Sequence, residues 1–409
     1  MGIKRTVREG IEKFVSKYGY SLVKDNPFGD SGTMSDRYPY IVNQKKVEFS
    51  YEDFKNRDEA ITLSWVIPNL GPGSGGHLDI IRAIHILHGL GIKNRIYIYN
   101  GNEDASSQEL RKAVQEFYGY DLEDDEIYPS VKLMTYTDGV IATSWQTAYV
   151  VRNFNNCISK FYFVQDFEPF FYPIGAEYYF AENTYKFGYY GITAGGWLEK
   201  KLHDEYGMKT KGFSFSYERN LYHKVEKKDE KNRIFFYARP YTERRAFEMG
   251  VLALEELARR IPDIEVVLAG QKLNAFTLDF PYVDKGVMKL EDLCDMYSQC
   301  DMCLVLSMTN LSLLPMEVMA SNSVVVSNKG ANNEWVLNDE NSILVEADPI
   351  DMADKMEYYL KHKDELAKLR EKAYEEVQQF TWEGEIKKVY DFVTECIEED
   401  KKSIVQKER

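Results

Sequence analysis

The segment at residues 303–328, CLVLSMTNLSLLPMEVMASNSVVVSN, constrains the fold more than any other part of the chain. Residues 303–306 are a short apolar run of the kind a buried strand needs. Residues 307–312 are polar and predict a loop. Residues 313–321 are helix formers, and Pro315 is tolerated there only in the first turn. Residues 324–326 are β-branched and predict the next strand, parallel to the first. One carboxylate, Glu317, sits near the start of this otherwise apolar helix. A helix start offers unpaired N–H groups and a positive dipole end, which suits a phosphate. An ionised carboxylate only accepts hydrogen bonds, which suits the hydroxyls of a ribose. The combination predicts a nucleotide site.

The remaining strands and helices alternate in the same way. A chain of 409 residues is long enough for two domains. Residues 6–19 predict a short amphipathic helix, and 20–59 an irregular polar extension. From residue 60 the strands are expected at 61–68, 95–100, 131–136, 139–144, 160–166, 190–195 and 212–217. Helices are expected at 76–90, 106–118 and 197–206. Residues 223–232 are charged and read as a linker. A second series follows, with strands at 233–238, 264–270, 302–307, 324–327 and 342–346. Its helices fall at 243–260, 290–299, 313–321 and 350–378, and a last helix covers 380–398. The fold class is therefore α/β, with two Rossmann-like parallel-sheet domains, 60–222 and 223–379. Two such sheets leave a cleft at the carboxyl ends of their strands, where open α/β sheets bind ligands. Neither half carries the G-x-G-x-x-G fingerprint followed by an acidic residue, which disfavours a nicotinamide oxidoreductase.

Charge and composition remove other classes. Fifty-one basic against 66 acidic side chains give a net charge of −15, which is wrong for a general nucleic-acid binder. An anionic ligand therefore needs local basic residues. The five cysteines form no disulfide framework and fit a reducing cytosol. Cys300 and Cys303 lack a second pair for zinc and read as buried core. The start, MGIKRTVREG, has no apolar signal region, and no apolar run is long enough to cross a bilayer.

Three segments carry candidate chemistry. In FFYARPYTERRAFEMG, Arg239 ends a strand, and Arg244 and Arg245 follow at the expected start of a helix. Cations there oppose the helix dipole, so they need a ligand to justify them; paired guanidiniums match adjacent phosphates. Arg245 is open between that role and a solvated one. In VIPNLGPGSGGHLD, glycines link a strand to a helix, so Gly75 and Gly76 let backbone approach a ligand, with His77 beside them. In residues 161–190, 14 of 30 are Phe or Tyr, a density that suits core, sugar stacking or a membrane-facing patch. Asp166 and Glu168 end the strand in that segment. They read first as a proton acceptor or hydroxyl anchor, then as structural groups, and last as a metal site. Tyr172 lies alongside. The run DLEDDE at 121–126 reads as a solvated face, and His85 with His88 lacks a third metal ligand.

Together these motifs resemble the sugar-nucleotide domain of GT-B glycosyltransferases, and within them retaining glycosyltransferase family 4. The family pattern G-R-x4-K is matched by Arg239 and Arg244, with Arg in place of Lys. The second Glu of its E-x7-E pattern matches Glu317, and the first falls at Thr309. YARPYTERRAFEMG, the aromatic segment and GPGSGGH are similar to rhamnosyltransferases of bacterial surface-glycan assembly, over roughly residues 60–390.

This resemblance implies transfer of L-rhamnose from dTDP-L-rhamnose to a hydroxyl of a growing surface polysaccharide, with retention, no metal and no cofactor. It implies Asp166, Arg239 and Arg244 as catalytic residues. Glu317, Thr309, Asn310, Leu311, Ser312, Leu313, Val287 and Lys272 would face the donor, with the base near Gly286. Gly75, Gly76, His77, Glu168 and Tyr172 would face the acceptor. The implied partners are a sugar nucleotide and an oligosaccharide, lipid-linked at the inner membrane, with no nucleic acid; a homodimer is left open. The final helix, 380–409, would cross back to the first domain, and the protein would be cytoplasmic or peripheral at that membrane face. Thr309 keeps two alternatives in view, a non-catalytic sugar-nucleotide-binding subunit and a GT-B nucleotide-sugar epimerase.

Overall fold

The computed structural model describes residues 33–42, 45–122 and 125–408. The expected helix at 6–19 lies outside them, as do Glu123 and Asp124 of the acidic run. Residues 1–45 form a unit of their own, in which Met34–Arg37 is a single helical turn capped by Thr33.

Two all-parallel sheets make up the rest. The first has seven strands in the order β3-β2-β1-β4-β5-β6-β7. These are β1 (Thr62–Pro68), β2 (Lys93–Tyr99), β3 (Glu126–Tyr128), β4 (Thr137–Ala142), β5 (Cys157–Val164), β6 (Tyr190–Ala194) and β7 (Thr210–Phe213). Its helices are α1 (Gly75–Gly89), α2 (Ser107–Tyr118), α3 (Trp145–Asn153), α4 (Ala176–Thr184) and α5 (Gly196–Tyr206). The second sheet has six strands in the order β10-β9-β8-β11-β12-β13. They are β8 (Arg233–Tyr237), β9 (Glu265–Ala269), β10 (Tyr282–Gly286), β11 (Met302–Leu304), β12 (Val324–Asn328) and β13 (Ile343–Val345). Around them lie α6 (Phe247–Arg260), α7 (Leu290–Ser298), α8 (Leu314–Ala320), α9 (Pro349–Lys361) and α10 (Lys363–Val377).

The apolar runs explain this layering. Strands β4 and β12 are buried at every position, as strands covered on both faces must be. Met302, Cys303 and Leu304 pair with Ile234–Phe236 on one side and Val324–Val326 on the other, so the opening motif is the centre of the second sheet. Helix starts follow their caps: Ser74 accepts from the His77 N–H, and Ser106 forms a reciprocal box with Glu109. Helix α11 (Trp382–Glu408) returns to the first sheet. There Asp400 accepts hydrogen bonds from Ser159 on β5 (2.7 Å) and Tyr190 on β6 (3.1 Å), and Glu385 accepts from the Ser214 N–H (2.8 Å). Trp382 lies 4.1 Å beneath the buried guanidinium of Arg82.

Several sequence expectations change. Residues 131–136 are not a strand but a 3-10 turn, Val131–Leu133, followed by loop; the strand is β3, upstream. Helices α3 and α4 and strand β10 were not anticipated. The helix expected from residue 243 begins at Phe247. Glu243–Arg245 is instead a separate 3-10 turn, because Ala246 takes a left-handed conformation (φ 46°) between them. Arg244 and Arg245 therefore stand on a turn in front of the helix. The expected helix at 350–378 breaks at His362 into α9 and α10.

Candidate functional site

The carboxyl ends of the two sheets face each other, and two adjoining cavities open between them. The first, about 460 Å³, has Arg239, Arg244 and Arg245 on one side and Gly75, Gly76, Gln165 and Asp166 on the other. The second, about 330 Å³, is mostly apolar, with Val287, Leu293 and Glu317 facing Leu78, Phe117 and Tyr118. Both are lined by Gly73, Ser74, Gly75, Tyr237, Arg239, Ser312 and Leu313, so they form one continuous space. Each volume lies in the range of small-molecule sites, about 300–1,000 Å³.

The basic wall grows from the end of β8. Arg239 lies just past Tyr237 and donates to its hydroxyl at 3.3 Å. Arg244 lies 4.5 Å above the ring of Phe171. Arg245 donates to the Ser307 hydroxyl at 2.9 Å, and burial pulls its pKa down. The Nε atoms of Arg239 and Arg244 and the Ser312 hydroxyl are buried with no hydrogen-bond partner among the described residues. A buried polar group normally has a partner, so orphaned groups along one cavity wall call for a ligand. Three guanidiniums without an ion pair among the described residues specify that ligand as anionic.

The opposite wall is the glycine-rich loop and the end of β5. Gln165 donates to the Gly76 carbonyl at 3.0 Å, tying loop to strand. His77 does not reach the cavity. Its ring bonds Ser74 Oγ at 2.7 Å and the Pro68 carbonyl at 3.2 Å, and stacks on Tyr118, so it braces the loop from behind. Tyr118 holds the same loop, exchanging hydrogen bonds with the Gly71 carbonyl (2.8 Å) and N–H (3.2 Å).

Asp166 joins the two domains. Its carboxylate accepts from the Thr309 hydroxyl (2.7 Å), the Asn310 N–H (2.8 Å) and the Phe167 N–H (2.8 Å). Burial raises its pKa; the Asn310 and Thr309 donors and the nearby Arg245 and Arg244 charges oppose that rise. Asn310 completes the clasp. Its side-chain amide donates to the carbonyls of Gln165 and Ala194, both at 2.8 Å, and its amide oxygen accepts from Trp335 Nε1 at 3.0 Å. Trp335 in turn packs on Gly195, where an added Cβ would lie 2.6 Å from the ring.

Other expected residues take supporting positions. Glu168 borders the first cavity, but its carboxylate accepts from the Trp145 N–H at the start of α3 (2.8 Å) and from the Tyr162 hydroxyl (2.5 Å). Burial pushes it up to about 7. Tyr172 accepts from Trp145 Nε1 at 3.0 Å and is not part of either cavity lining. Lys272 lies beside Gly286, outside both linings. Leu311, Ser312 and Leu313 line the first cavity with Asn310, whereas Thr309 is buried behind them. Glu317 sits in the wall of the apolar cavity, pushed up to about 7 by burial and opposed by the neighbouring Tyr222 hydroxyl. Sequence reasoning missed Tyr237, Ser74, Gln165, Asp79, Phe117 and Trp335; only Ser74 carried a signal, as the helix cap after a glycine-rich turn.

The chain is similar to several known proteins. Residues 232–357 match the family model described as WsaF, C-terminal domain. The O-antigen biosynthesis protein RfbC of Myxococcus xanthus is 32% identical over 265 residues, covering 63% of this chain and 21% of that protein. The chain thus spans about one fifth of the length of this curated relative. Among solved structures, sucrose-phosphate synthase from Thermosynechococcus elongatus aligns over 82% of this chain and 98% of its own, with a TM-score of 0.61 at 13% identity. TarM of S. aureus, in a complex that includes UDP, covers 81% and 99% with a TM-score of 0.64 at 10% identity. Anabaena HepE, in complex with UDP and glucose, covers 82% and 100% with a TM-score of 0.61 at 13% identity. The fold is GT-B. In this GT-B chain the two Rossmann-like domains meet through the Asp166–Asn310 clasp, with the arginine wall on the C-terminal side.

Proposed function

We propose that the chain is a glycosyltransferase that moves a sugar from a nucleoside diphosphate carrier to a hydroxyl of a glycan acceptor. The carrying observation is the arginine wall. Three guanidiniums, two with an orphaned buried Nε, line a cavity faced by a glycine-rich loop. Such a wall supplies preorganised charge where a diphosphate leaves. Arg239 and Arg244 neutralise it as the bond from the sugar's anomeric carbon to the diphosphate oxygen breaks. The Ser312 hydroxyl and the backbone N–H groups of Ser312 and Leu313 add donors. The apolar cavity, with Glu317 in its wall, takes the nucleoside.

The donor we propose is dTDP-L-rhamnose, and the acceptor is a growing bacterial surface polysaccharide. The O-antigen biosynthesis relative supports the acceptor in that reading, and the resemblance of residues 60–390 to rhamnosyltransferases supports the donor. Transfer proceeds with retention: the acceptor hydroxyl attacks on the face that the diphosphate leaves. Its proton passes to the departing phosphate or to Asp166, which must first give up a clasp donor. No metal is needed in this scheme, because the arginines carry the countercharge. The acceptor is lipid-linked and the enzyme works at the cytoplasmic membrane face. Phe171 borders the cavity, and the exposed Phe170, Ile174 and Tyr179 follow in the same segment, which suits such an acceptor. No helix among the described residues is long and apolar enough to cross a membrane.

The second reading is a binding subunit without transferase activity. It is favoured by the Asp166 carboxylate already accepting three hydrogen bonds and by threonine at position 309. Incubation with dTDP-L-rhamnose, other dTDP-sugars and UDP-sugars, each with a rhamnose-ended acceptor, separates the two. Mass spectrometry reads transfer, and NMR reads the anomeric configuration of the product. Transfer with retention, undiminished by EDTA, supports the proposal. Nucleotide binding without product from any donor supports the subunit, and product of inverted configuration refutes the attack geometry.

A further inference from the structure

Phe117 is out of place for a core residue. In α2 the buried stripe is Leu110, Val114 and Tyr118, spaced to face the sheet. Phe117 follows the same period, three residues after Val114 and seven after Leu110, yet on the last turn before Gly119 ends the helix it is 37% exposed. Its ring borders the apolar cavity, opposite Val287 and Leu290, which are themselves 75% and 55% exposed. Large apolar side chains left uncovered on both lips of one slot leave room for a flat ligand between them. The slot opens into the arginine-lined cavity through Tyr237, Arg239 and Ser312, so a molecule with a flat apolar end and an anionic end spans both. Glu317 lies in the slot wall, at the place for the sugar ring between those ends.

We propose that Phe117, from the N-terminal domain, contacts the nucleobase of the donor from across the cleft. The proposal rests on the nucleoside diphosphate reading above and adds a base contact from the opposite domain. Its consequence is mechanical. The neighbouring Tyr118 pins the glycine-rich loop at Gly71, so a base seated against this pair also sets the loop that faces the diphosphate.

The test titrates the full chain with dTDP, UDP and inorganic pyrophosphate by calorimetry, for wild type, Phe117→Ala and Phe117→Trp. Stacking of a base on an aromatic ring predicts that Phe117→Ala weakens nucleotide binding about tenfold to a hundredfold. Pyrophosphate affinity should stay within about twofold. Phe117→Trp should keep nucleotide affinity, and its added indole fluorescence should change with dTDP or UDP but not with pyrophosphate. Equal losses for nucleotide and pyrophosphate, or unchanged nucleotide binding by Phe117→Ala, overturn the contact. If wild type binds pyrophosphate but neither nucleotide, the nucleoside diphosphate reading itself fails.

Discussion

Asn310→Ala tests whether the clasp holds the two domains together. The Asn310 side chain is 2% exposed and donates two 2.8 Å hydrogen bonds across the cleft, to the carbonyls of Gln165 and Ala194. It also accepts from Trp335 Nε1, which keeps a second acceptor, the Asn332 carbonyl at 3.0 Å. Alanine therefore removes two interdomain bonds outright and weakens a third contact. Each bond is worth about 1 kcal/mol net, and stranding a buried carbonyl costs about 1–2 kcal/mol more. The expected loss is about 3–4 kcal/mol. The assay is urea unfolding followed by far-UV circular dichroism and by tryptophan fluorescence, to which Trp335 contributes from within the clasp. The fluorescence transition should move to lower urea and separate from the dichroism transition, as the domains part before they unfold. A loss below about 0.5 kcal/mol, with coincident transitions, refutes the reasoning.

Two further outcomes follow from the same geometry. Gly195→Ala forces a Cβ to 2.6 Å from the Trp335 ring at a residue with φ 90°, so it should destabilise by about 1–3 kcal/mol in the same urea assay, with the fluorescence transition affected most. Glu168→Gln tests the buried carboxyl. Because burial raises its folded-state pKa to about 7, the native state holds that proton longer than the unfolded chain. Its stabilising contribution is full below its ordinary pKa and is lost as pH rises through about 7. The stability of Glu168→Gln relative to wild type should therefore climb by about 2–3 kcal/mol between pH 5 and 8, and a flat difference would show that Glu168 ionises normally.

Much of the second sheet was legible because most of its strands are short runs with an apolar centre, separated by strong breaks. Residues 303–328 read as strand, loop, helix and strand for that reason, and so placed Glu317 and the 309–313 loop. The three-residue strand β3 was not legible, because it starts with Glu126 at a sheet edge and has only Ile127 fully buried. Residues 131–136 look more like a strand, yet Lys132 is drawn out to Glu103 and the segment stays a turn and loop. Helix α4 hides in aromatic residues whose helical period is masked by their density. The break at Ala246 carries no glycine or proline to announce it, so the sequence alone places the arginines at a helix start. The site was legible where one loop holds several candidates. It was not where function depends on a partner far along the chain: the Asp166–Thr309 bond spans 143 residues, and the bracing roles of His77 and Glu168 depend on carbonyls and hydroxyls that only the folded chain brings near.

The most direct test of the diphosphate site is the affinity of dTDP, measured by calorimetry at fixed ionic strength for wild type, Arg239→Ala, Arg244→Ala and the double variant. Charge-assisted hydrogen bonds of about 1.5–3 kcal/mol predict that each single change weakens binding roughly 10- to 150-fold. The double variant should weaken it further, while circular dichroism shows an intact fold. Wild-type affinity retained by the double variant would contradict the account, because the anionic end of the ligand would then have to be held elsewhere.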